Sequence, residues 1–225
     1  MDTRLWPELP ALEVADVCFT KNRVTGWRSW RRWLVSWGIR VCSRRKDEPP
    51  SFANHTFLVY GSHVRCKVVD AHIRREVVDY AVYEALGKEG YVERWLRERY
   101  ENGHTGIAVY RHRGVTDALR AAAKDGMKHL EGKKYGKLKI LAHAADYGLT
   151  KLWNLCGAKG EAFLFRRLAC MENYPICSWA VSYIYDKWLY LPFTTPTPRA
   201  TPDDLMDECE SSDEWTQVFF YSNNT

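Results

Sequence analysis

The sequence predicts an α+β domain, in which β-strands and α-helices share one core. Apolar and polar side chains alternate over much of 55–70, a period of two that is typical of β-strands. Apolar residues over 180–188 instead recur every three or four positions, which matches one face of a helix. A chain of 225 residues is long enough for a sizeable core and short enough to be one domain.

Composition and charge are those of an ordinary globular protein. Hydrophobic residues make up 46% and charged residues 27%, and the net charge is +5 at pH 7. This mild positive excess favours anionic surfaces without demonstrating nucleic-acid binding. The seven cysteines include no C-x-x-C pair, which argues against a zinc ribbon or a disulfide framework and fits a reducing compartment.

The sequence predicts a single domain over 1–225, with 1–11 as an N-terminal arm and 192–225 as a C-terminal extension packing on it. No apolar run follows a basic start at the N-terminus, so we expect no signal peptide. No segment approaches the roughly 20 apolar residues that a transmembrane helix needs. We therefore expect no transmembrane segment.

Periodicity and turn residues predict further elements along the chain. The predicted strands are 12–20, 106–111 and 216–221. The predicted helices are 27–39, the region from 90 to 100, 117–130 with Thr116 as its cap, and a short helix that begins at Thr201.

The segment 174–181 contains the strongest candidate for a nucleophile. Pro175 lacks a backbone N–H and suits the start of a helix, so Cys177 should lie near the N-terminus of the helix that follows. Unpaired N–H groups and the positive end of the helix dipole meet there, and both stabilise a thiolate. Burial as a small apolar residue is the commoner role of a single cysteine. The candidate therefore depends on a histidine partner.

Residues 54–72 predict a β-hairpin with Gly61 and Ser62 as a two-residue turn. Alternation along its arms places His55 and Asp70 on one mainly apolar face, as diagonal neighbours at the open end. The opposite face is predicted to be wetter. A carboxylate beside a histidine at the rim of a core is typical of an orienting pair.

Cys177, His55 and Asp70 supply the three groups of a cysteine hydrolase, namely a nucleophile, a proton shuttle and an orienting carboxylate. The backbone N–H of Cys177 is a natural oxyanion donor. His72 follows Asp70 on the same face as a further polar candidate. Competing motifs are poor, because no G-x-S-x-G is present, the Gly-Lys-Lys run at 132–134 lacks phosphate-loop spacing, and the other histidines show no metal-ligand pattern.

Short motifs follow one another in a recognisable order from residue 14 to residue 205. They are VADVCF at 14–19, NHTFLV at 54–59, VDAH at 69–72, KYG at 134–136, ICSWAV at 176–181 and TPDDL at 201–205. In this order they resemble the circularly permuted branch of the NlpC-type papain-like amidases, which includes YiiX-like proteins. The chain departs from that group at Trp179, where acidic residues are frequent, at Asp70, where glutamate is frequent, and at Phe57 and Leu58, where small residues are usual.

The resemblance implies a permuted papain-like α+β domain, in which an antiparallel sheet bears His55 and Asp70 and the Cys177 helix packs against it. It implies attack on an amide, ester or thioester carbonyl through an acyl-enzyme, with no metal or organic cofactor. Tyr135, in the KYG motif, and His72 are its accessory candidates. Substrates in the group include cell-wall peptides and lipid acyl groups. Many relatives are encoded by bacteriophages, which implies a virion or lysis setting by analogy. The expected lack of a signal peptide predicts a cytoplasmic or virion-associated protein.

Two other classes of function stay open from the sequence. One is a catalytically silent papain-like module that serves as a structural or binding part of a larger assembly, such as a phage virion. The other, less favoured, is a nucleic-acid binder that uses the densest basic run of the chain. That run consists of Arg28, Arg31, Arg32, Arg40, Arg44 and Arg45.

Overall fold

The computed structural model describes residues 6, 9–22, 52–70, 73–101, 105–136, 142, 145–146, 148–150, 152–153, 156 and 175–222. The strands are β1 (Val17–Asn22), β2 (His55–Asp70), β3 (Ile73–Leu86), β4 (Gly90–Trp95), β5 (Thr105–His112) and β6 (Trp215–Tyr221). The helices are α1 (Leu96–Tyr100), α2 (Asp117–Leu130), α3 (Cys177–Ile184) and α4 (Pro202–Ser211), and a π-helical turn (Tyr185–Leu189) continues α3.

The six strands form an antiparallel sheet in the order β4-β3-β2-β1-β5-β6. The predicted α+β class is confirmed by this sheet and the helices that pack on it. β6 pairs with β5 and is an edge strand. The region from 192 onward, expected to pack on the domain as an extension, thus supplies both α4 and a strand of the sheet itself.

The predicted hairpin turn at Gly61 and Ser62 is wrong. Both residues lie inside β2, which continues to Asp70 and pairs with β3 over most of its length. The register shifts between Val59 and Gly61. Glycine inside a strand often marks such an irregularity, because it has no side chain to pack and tolerates unusual backbone angles. The glycine therefore accommodates a local bulge and does not reverse the chain.

The helix predicted from 90 to 100 forms only at its C-terminal end. Residues Gly90–Trp95 are β4, and helix α1 is confined to Leu96–Tyr100. β4 pairs with β3 from Gly90 opposite Leu86 to Trp95 opposite Ala81. The pairing of this hairpin outweighs the helical periodicity of the segment. The helix predicted over 27–39 lies outside the described residues.

Other sequence predictions are confirmed. Thr116 caps α2 by accepting a hydrogen bond from the Leu119 N–H, and β5 and β6 form where short strands were predicted. The strand predicted over 12–20 begins only at Val17. A turn precedes it, in which Ala15 takes a positive φ of 71°. A positive φ is incompatible with an extended strand, so β1 begins only after this turn, at Val17.

Buried side chains cover both faces of the sheet. The core under the helices contains sheet residues together with residues from α2, α3 and α4, among them Val17, Phe19, Leu58, Tyr83, Ala123, Met127, Trp179, Ile184, Leu205 and Met206. The core under the N-terminal arm contains Trp6, Leu9, Leu12, Cys18, Phe57, Val59, Val82, Leu96, Tyr100 and Ile107. The face of β2 predicted to be wetter is buried at its start, where Thr56 and Leu58 are both 0% exposed, whereas His63, predicted on the same face, is exposed.

Helix α3 is fastened to the segment that leads into α4. The Ser178 hydroxyl donates a hydrogen bond of 2.7 Å to the Ala200 carbonyl. The next residue, Thr201, caps α4 in a capping box: its hydroxyl accepts from the Asp204 N–H, and the Asp204 carboxylate accepts from the Thr201 N–H. The start of α4 therefore helps to fix the first turn of α3.

We expect Thr201→Ala to lower the free energy of unfolding by about 1 kcal/mol, because the cap of α4 is lost. Thr201→Ser keeps the accepting oxygen and should stay close to the wild-type value. Chemical denaturation monitored by circular dichroism measures both variants. Equal stability of the alanine variant and the wild type would contradict the role given to this cap.

Candidate active site

Cys177 is the first residue of α3, as the sequence predicts. The residue before it, Ile176, is extended and accepts the first backbone hydrogen bond of the helix, from the Ala180 N–H at 2.9 Å. The N–H groups of the first turn have no helical carbonyl to bond. Cys177 is only 6% exposed. A charge on its sulfur therefore needs partners within the protein.

Two backbone N–H groups stabilise a negative charge on the Cys177 sulfur. The N–H groups of Thr56, in β2, and Ser178, in α3, hydrogen-bond to the Cys177 sulfur. Hydrogen bonds to a thiolate favour it over the neutral thiol, as does the positive end of the helix dipole. The sulfur thus lies where the start of α3 meets the start of β2.

His55, the first residue of β2, lies between Cys177 and a carboxylate. Its Nε2 atom is 2.9 Å from the Glu84 Oε2 atom, and the ring also hydrogen-bonds to Cys177. Because Nε2 is engaged by Glu84, the other ring nitrogen, Nδ1, is the one left to face the sulfur. The imidazole therefore connects the nucleophile candidate to a buried acid.

Glu84 reaches His55 through the register of the sheet. Leu58 pairs with Tyr83, so one further step along the ladder places Phe57 opposite Glu84. His55 is two residues from Phe57 on the same face and is therefore the diagonal neighbour of Glu84. The Glu84 side chain is 0% exposed. The acid is held inside the arm-side core, next to the ring that it contacts.

The predicted proximity of His55 and Asp70 is wrong. His55 opens β2 and Asp70 closes it, with the whole strand between them. A strand advances about 3.3 Å per residue, so the backbone positions of residues 55 and 70 are far apart. The error follows from the assumed turn at Gly61, because only a reversal of the chain there would return Asp70 to His55. The carboxylate beside the histidine is Glu84.

The pKa values of the three groups follow from their contacts. Burial opposes the charge of His55, but hydrogen bonds with Cys177 and Glu84 outweigh it and raise the pKa of His55 to about 10. Burial also opposes the Cys177 thiolate, yet the His55 hydrogen bond and charge lower the pKa of Cys177 below its ordinary value. His55 likewise overcomes burial to lower the pKa of Glu84. All three shifts favour the charged forms, namely thiolate, imidazolium and carboxylate.

A second layer of groups contacts Glu84 from helix α1. The Tyr100 hydroxyl donates a short hydrogen bond to Glu84 Oε2, the same oxygen that His55 contacts. The Arg99 Nε atom lies 3.5 Å from Glu84 Oε1 in an ion pair. Both contacts favour the ionised acid.

The two accessory candidates have different outcomes. Tyr135 lies close enough to Cys177 for the thiolate charge to raise the tyrosine's pKa, although burial contributes more. The next residue, Gly136, donates its N–H to the Pro175 carbonyl at 2.9 Å, which ties this segment to the approach to α3. His72 lies outside the described residues.

Glu84, Tyr100 and Arg99 are the site residues that the sequence reasoning missed. Glu84 stands alone as an acid within the mostly apolar run 80–86. A single charge in such a run is a signal for a buried, partnered group. Its partner could not be identified without the pairing of β2 with β3.

The described part of the chain offers no metal centre, since no group of three or more histidine, cysteine, aspartate or glutamate side chains there could hold an ion. Among the same residues, no helix is long and apolar enough to cross a membrane.

Comparison with known proteins identifies no relative. No protein-family model matches the chain, and comparisons with curated proteins and with solved structures give no match either.

We expect iodoacetamide to alkylate Cys177 at pH 6 faster than an ordinary buried thiol, because the pKa of Cys177 is lowered by His55. Cys209, which is 3% exposed against 6% for Cys177, is the matched internal control. Burial raises the pKa of Cys209, so it should stay unlabelled. Peptide mapping by mass spectrometry measures both sites.

His55→Ala tests the source of the shift. Loss of the imidazolium should raise the pKa of Cys177 and move its labelling to higher pH. Equal labelling of Cys177 and Cys209 at pH 6, or an unchanged pH profile in the histidine variant, would contradict the assigned ion pair.

Proposed function

We propose that the protein is a cysteine hydrolase that cleaves an amide, ester or thioester bond through an acyl-enzyme on Cys177. One observation carries the proposal: a single imidazole, that of His55, bonds to a thiol at a helix start on one side and to a buried carboxylate on the other. These are the three roles that thiol-based acyl transfer requires. The substrate would be a peptide or an acyl group.

In the acylation step the Cys177 thiolate attacks the carbonyl carbon and forms a carbon–sulfur bond. The carbonyl oxygen becomes an oxyanion, for which the donor is the Cys177 N–H, a first-turn group without an intrahelical partner. When the tetrahedral intermediate collapses, the bond to the leaving group breaks and His55 gives its proton to that group. A thioester on Cys177 and a neutral His55 remain.

In the deacylation step a water molecule attacks the thioester. Neutral His55 takes one proton from that water, and the oxygen bonds to the acyl carbon. Collapse of the second intermediate breaks the carbon–sulfur bond, releases the acid and restores the thiolate beside the imidazolium. Both steps use the same ring, whose orientation Glu84 holds.

The burial of the charges favours an enzyme over a catalytically silent module. Buried ions lose their hydration, and replacing such a pair with well-packed apolar residues is often neutral or stabilising. A structural module has no use for a thiolate, an imidazolium and a carboxylate in one row. Reaction at Cys177 gives each charge a role.

A permuted papain-like fold is part of the same proposal. It is supported by chain order, because the histidine strand β2 precedes the nucleophile helix α3. It is further supported by the packing of α3 on an antiparallel sheet that bears the histidine. Cell-wall peptides and acyl esters are the two substrate classes to test, and a phage or cell-wall setting belongs to the proposal only through the sequence resemblance.

Two carboxylate variants distinguish the residues assigned by geometry and by sequence. Glu84→Gln should lower kcat/KM by roughly 10- to 100-fold, since a hydrogen bond to a charged group contributes about 1.5–3 kcal/mol. Asp70→Asn should retain wild-type activity, because Asp70 lies at the far end of β2. Steady-state hydrolysis of acyl esters and cell-wall peptides measures both variants.

Cys177→Ala is the reference for the chemistry. It should abolish turnover, and the wild type mixed with substrate should show an acyl mass on the peptide that contains Cys177. Absence of both adduct and product on either substrate class, with Cys177→Ala still performing the protein's biological role, would favour the silent module.

The pH profile of kcat/KM should be bell-shaped, with its alkaline limb near pH 10. There His55, whose pKa is raised to about 10, loses the proton that the leaving group needs. The acid limb lies where the thiolate and Glu84 take up protons, below their ordinary pKa values. An alkaline limb near pH 6.5, the ordinary value for histidine, would contradict the ion pair.

A further inference from the structure

We propose that Tyr100 is a positioning residue for the reaction at Cys177: its hydroxyl fixes the Glu84 carboxylate against His55. The inference rests on the proposed function, since it concerns the same site. It gives a role to a residue of helix α1, whereas the nucleophile belongs to α3.

The geometry places two donors on one oxygen. The Tyr100 hydroxyl and the His55 Nε2 atom both contact Glu84 Oε2. The Glu84 side chain is 0% exposed, so water cannot replace a lost donor easily. A buried carboxylate without its hydrogen bonds takes up a proton more readily. The hydrogen bond from Tyr100 therefore stabilises the charged form of Glu84 relative to the neutral form.

The phenol is held rigidly. Its ring stacks on Phe57, with centroids 4.9 Å apart and planes at 6°. Helix α1 is itself anchored where it begins, because the buried Asp79 carboxylate accepts hydrogen bonds from the Arg97 and Tyr80 N–H groups at 3.0 and 2.8 Å. Leu96, the first residue of α1, is fully buried. The hydroxyl is thus directed at Glu84 by packing on both sides.

Tyr100 is also a permanent donor. Burial and the Glu84 charge raise the pKa of Tyr100 well above its ordinary value, so the hydroxyl keeps its proton. The described charged groups that face Glu84 are His55 from β2 and Arg99 from α1. The Arg99 side chain is 44% exposed, and solvent screens its charge. Tyr100 is a neutral donor to this acid, so its contribution does not depend on a charge that solvent can screen.

Removal of the Tyr100 hydroxyl should change the pKa of Glu84 in a defined direction. Its hydrogen bond lowers the pKa of Glu84, so its removal raises that pKa. Glu84 would then become neutral at a higher pH, and a neutral acid stabilises the imidazolium less. The thiolate, which depends on the imidazolium, would take up its proton at a higher pH as well. The acid limb of Cys177 reactivity should move upward.

The test is Tyr100→Phe, which removes the hydroxyl and keeps the ring that stacks on Phe57. The rate of Cys177 alkylation by iodoacetamide is measured against pH, and no substrate is needed. We expect the acid midpoint to rise by about half to one pH unit. This is less than the roughly one to two units that a hydrogen bond to a charged group corresponds to, because the effect reaches Cys177 only through Glu84 and His55. At pH 8 the variant should regain the wild-type rate, whereas a structural defect would slow alkylation at every pH.

Tyr91→Phe is the matched control. Tyr91 is equally buried and stacked on another aromatic ring, and its hydroxyl has no hydrogen-bond partner in the described part of the chain. Its removal should leave the alkylation profile at the wild-type midpoint. A shift as large as that of Tyr100→Phe would overturn the proposal, because any buried hydroxyl would then have the same effect.

A double variant shows whether Tyr100 acts through Glu84. With Glu84→Gln already in place, Tyr100→Phe should move the midpoint much less, since the ionisable acceptor is absent. An equal shift in both backgrounds, or none in the wild-type background, overturns the positioning role while the hydrolase proposal stands. A wild-type Cys177 without alkylation at pH 6 refutes the hydrolase proposal itself, and this inference with it.

Discussion

The buried contact between His55 and Glu84 is the interaction on which the candidate site depends. Burial is the largest influence on the pKa of His55 and opposes its charge, and the contacts of the ring with Cys177 and Glu84 together outweigh it. The charges of Cys177, His55 and Glu84 therefore stabilise one another, and each is supplied by a different element of the fold.

The sheet and two helix ends bring these elements together. β2 contributes His55 at its first residue, and β3 contributes Glu84 near its last, so the antiparallel ladder brings the two together as diagonal neighbours. Helix α3 begins at Cys177 beside the same end of β2. Since antiparallel strands place the start of one beside the end of the next, one corner of the sheet collects residues that are far apart in the sequence.

Local signals predicted what local physics determines. The caps at Thr116 and Thr201 and the helix start at Cys177 each depend on a few neighbouring residues, and all three form as expected. The register of β2 depends on a strand that follows it, which the local sequence does not specify. The prediction of a turn at Gly61, and of Asp70 as the partner of His55, is therefore wrong. The diagonal geometry expected for the histidine and its acid is present, but on a different pair of strands.

The bulky residue after the catalytic histidine candidate has a consistent explanation. The group that the sequence resembles usually has small residues where this chain has Phe57, a difference that would narrow a site if the ring faced the substrate. Phe57 is instead 1% exposed in the arm-side core, stacked on Tyr100 and 5.7 Å from the His55 ring. Because Tyr100 needs that flat surface to direct its hydroxyl at Glu84, a small residue at 57 would leave the phenol unsupported. The large side chain of Phe57 therefore supports Tyr100, which holds Glu84. It lies on the side of the sheet opposite the core that packs on α3.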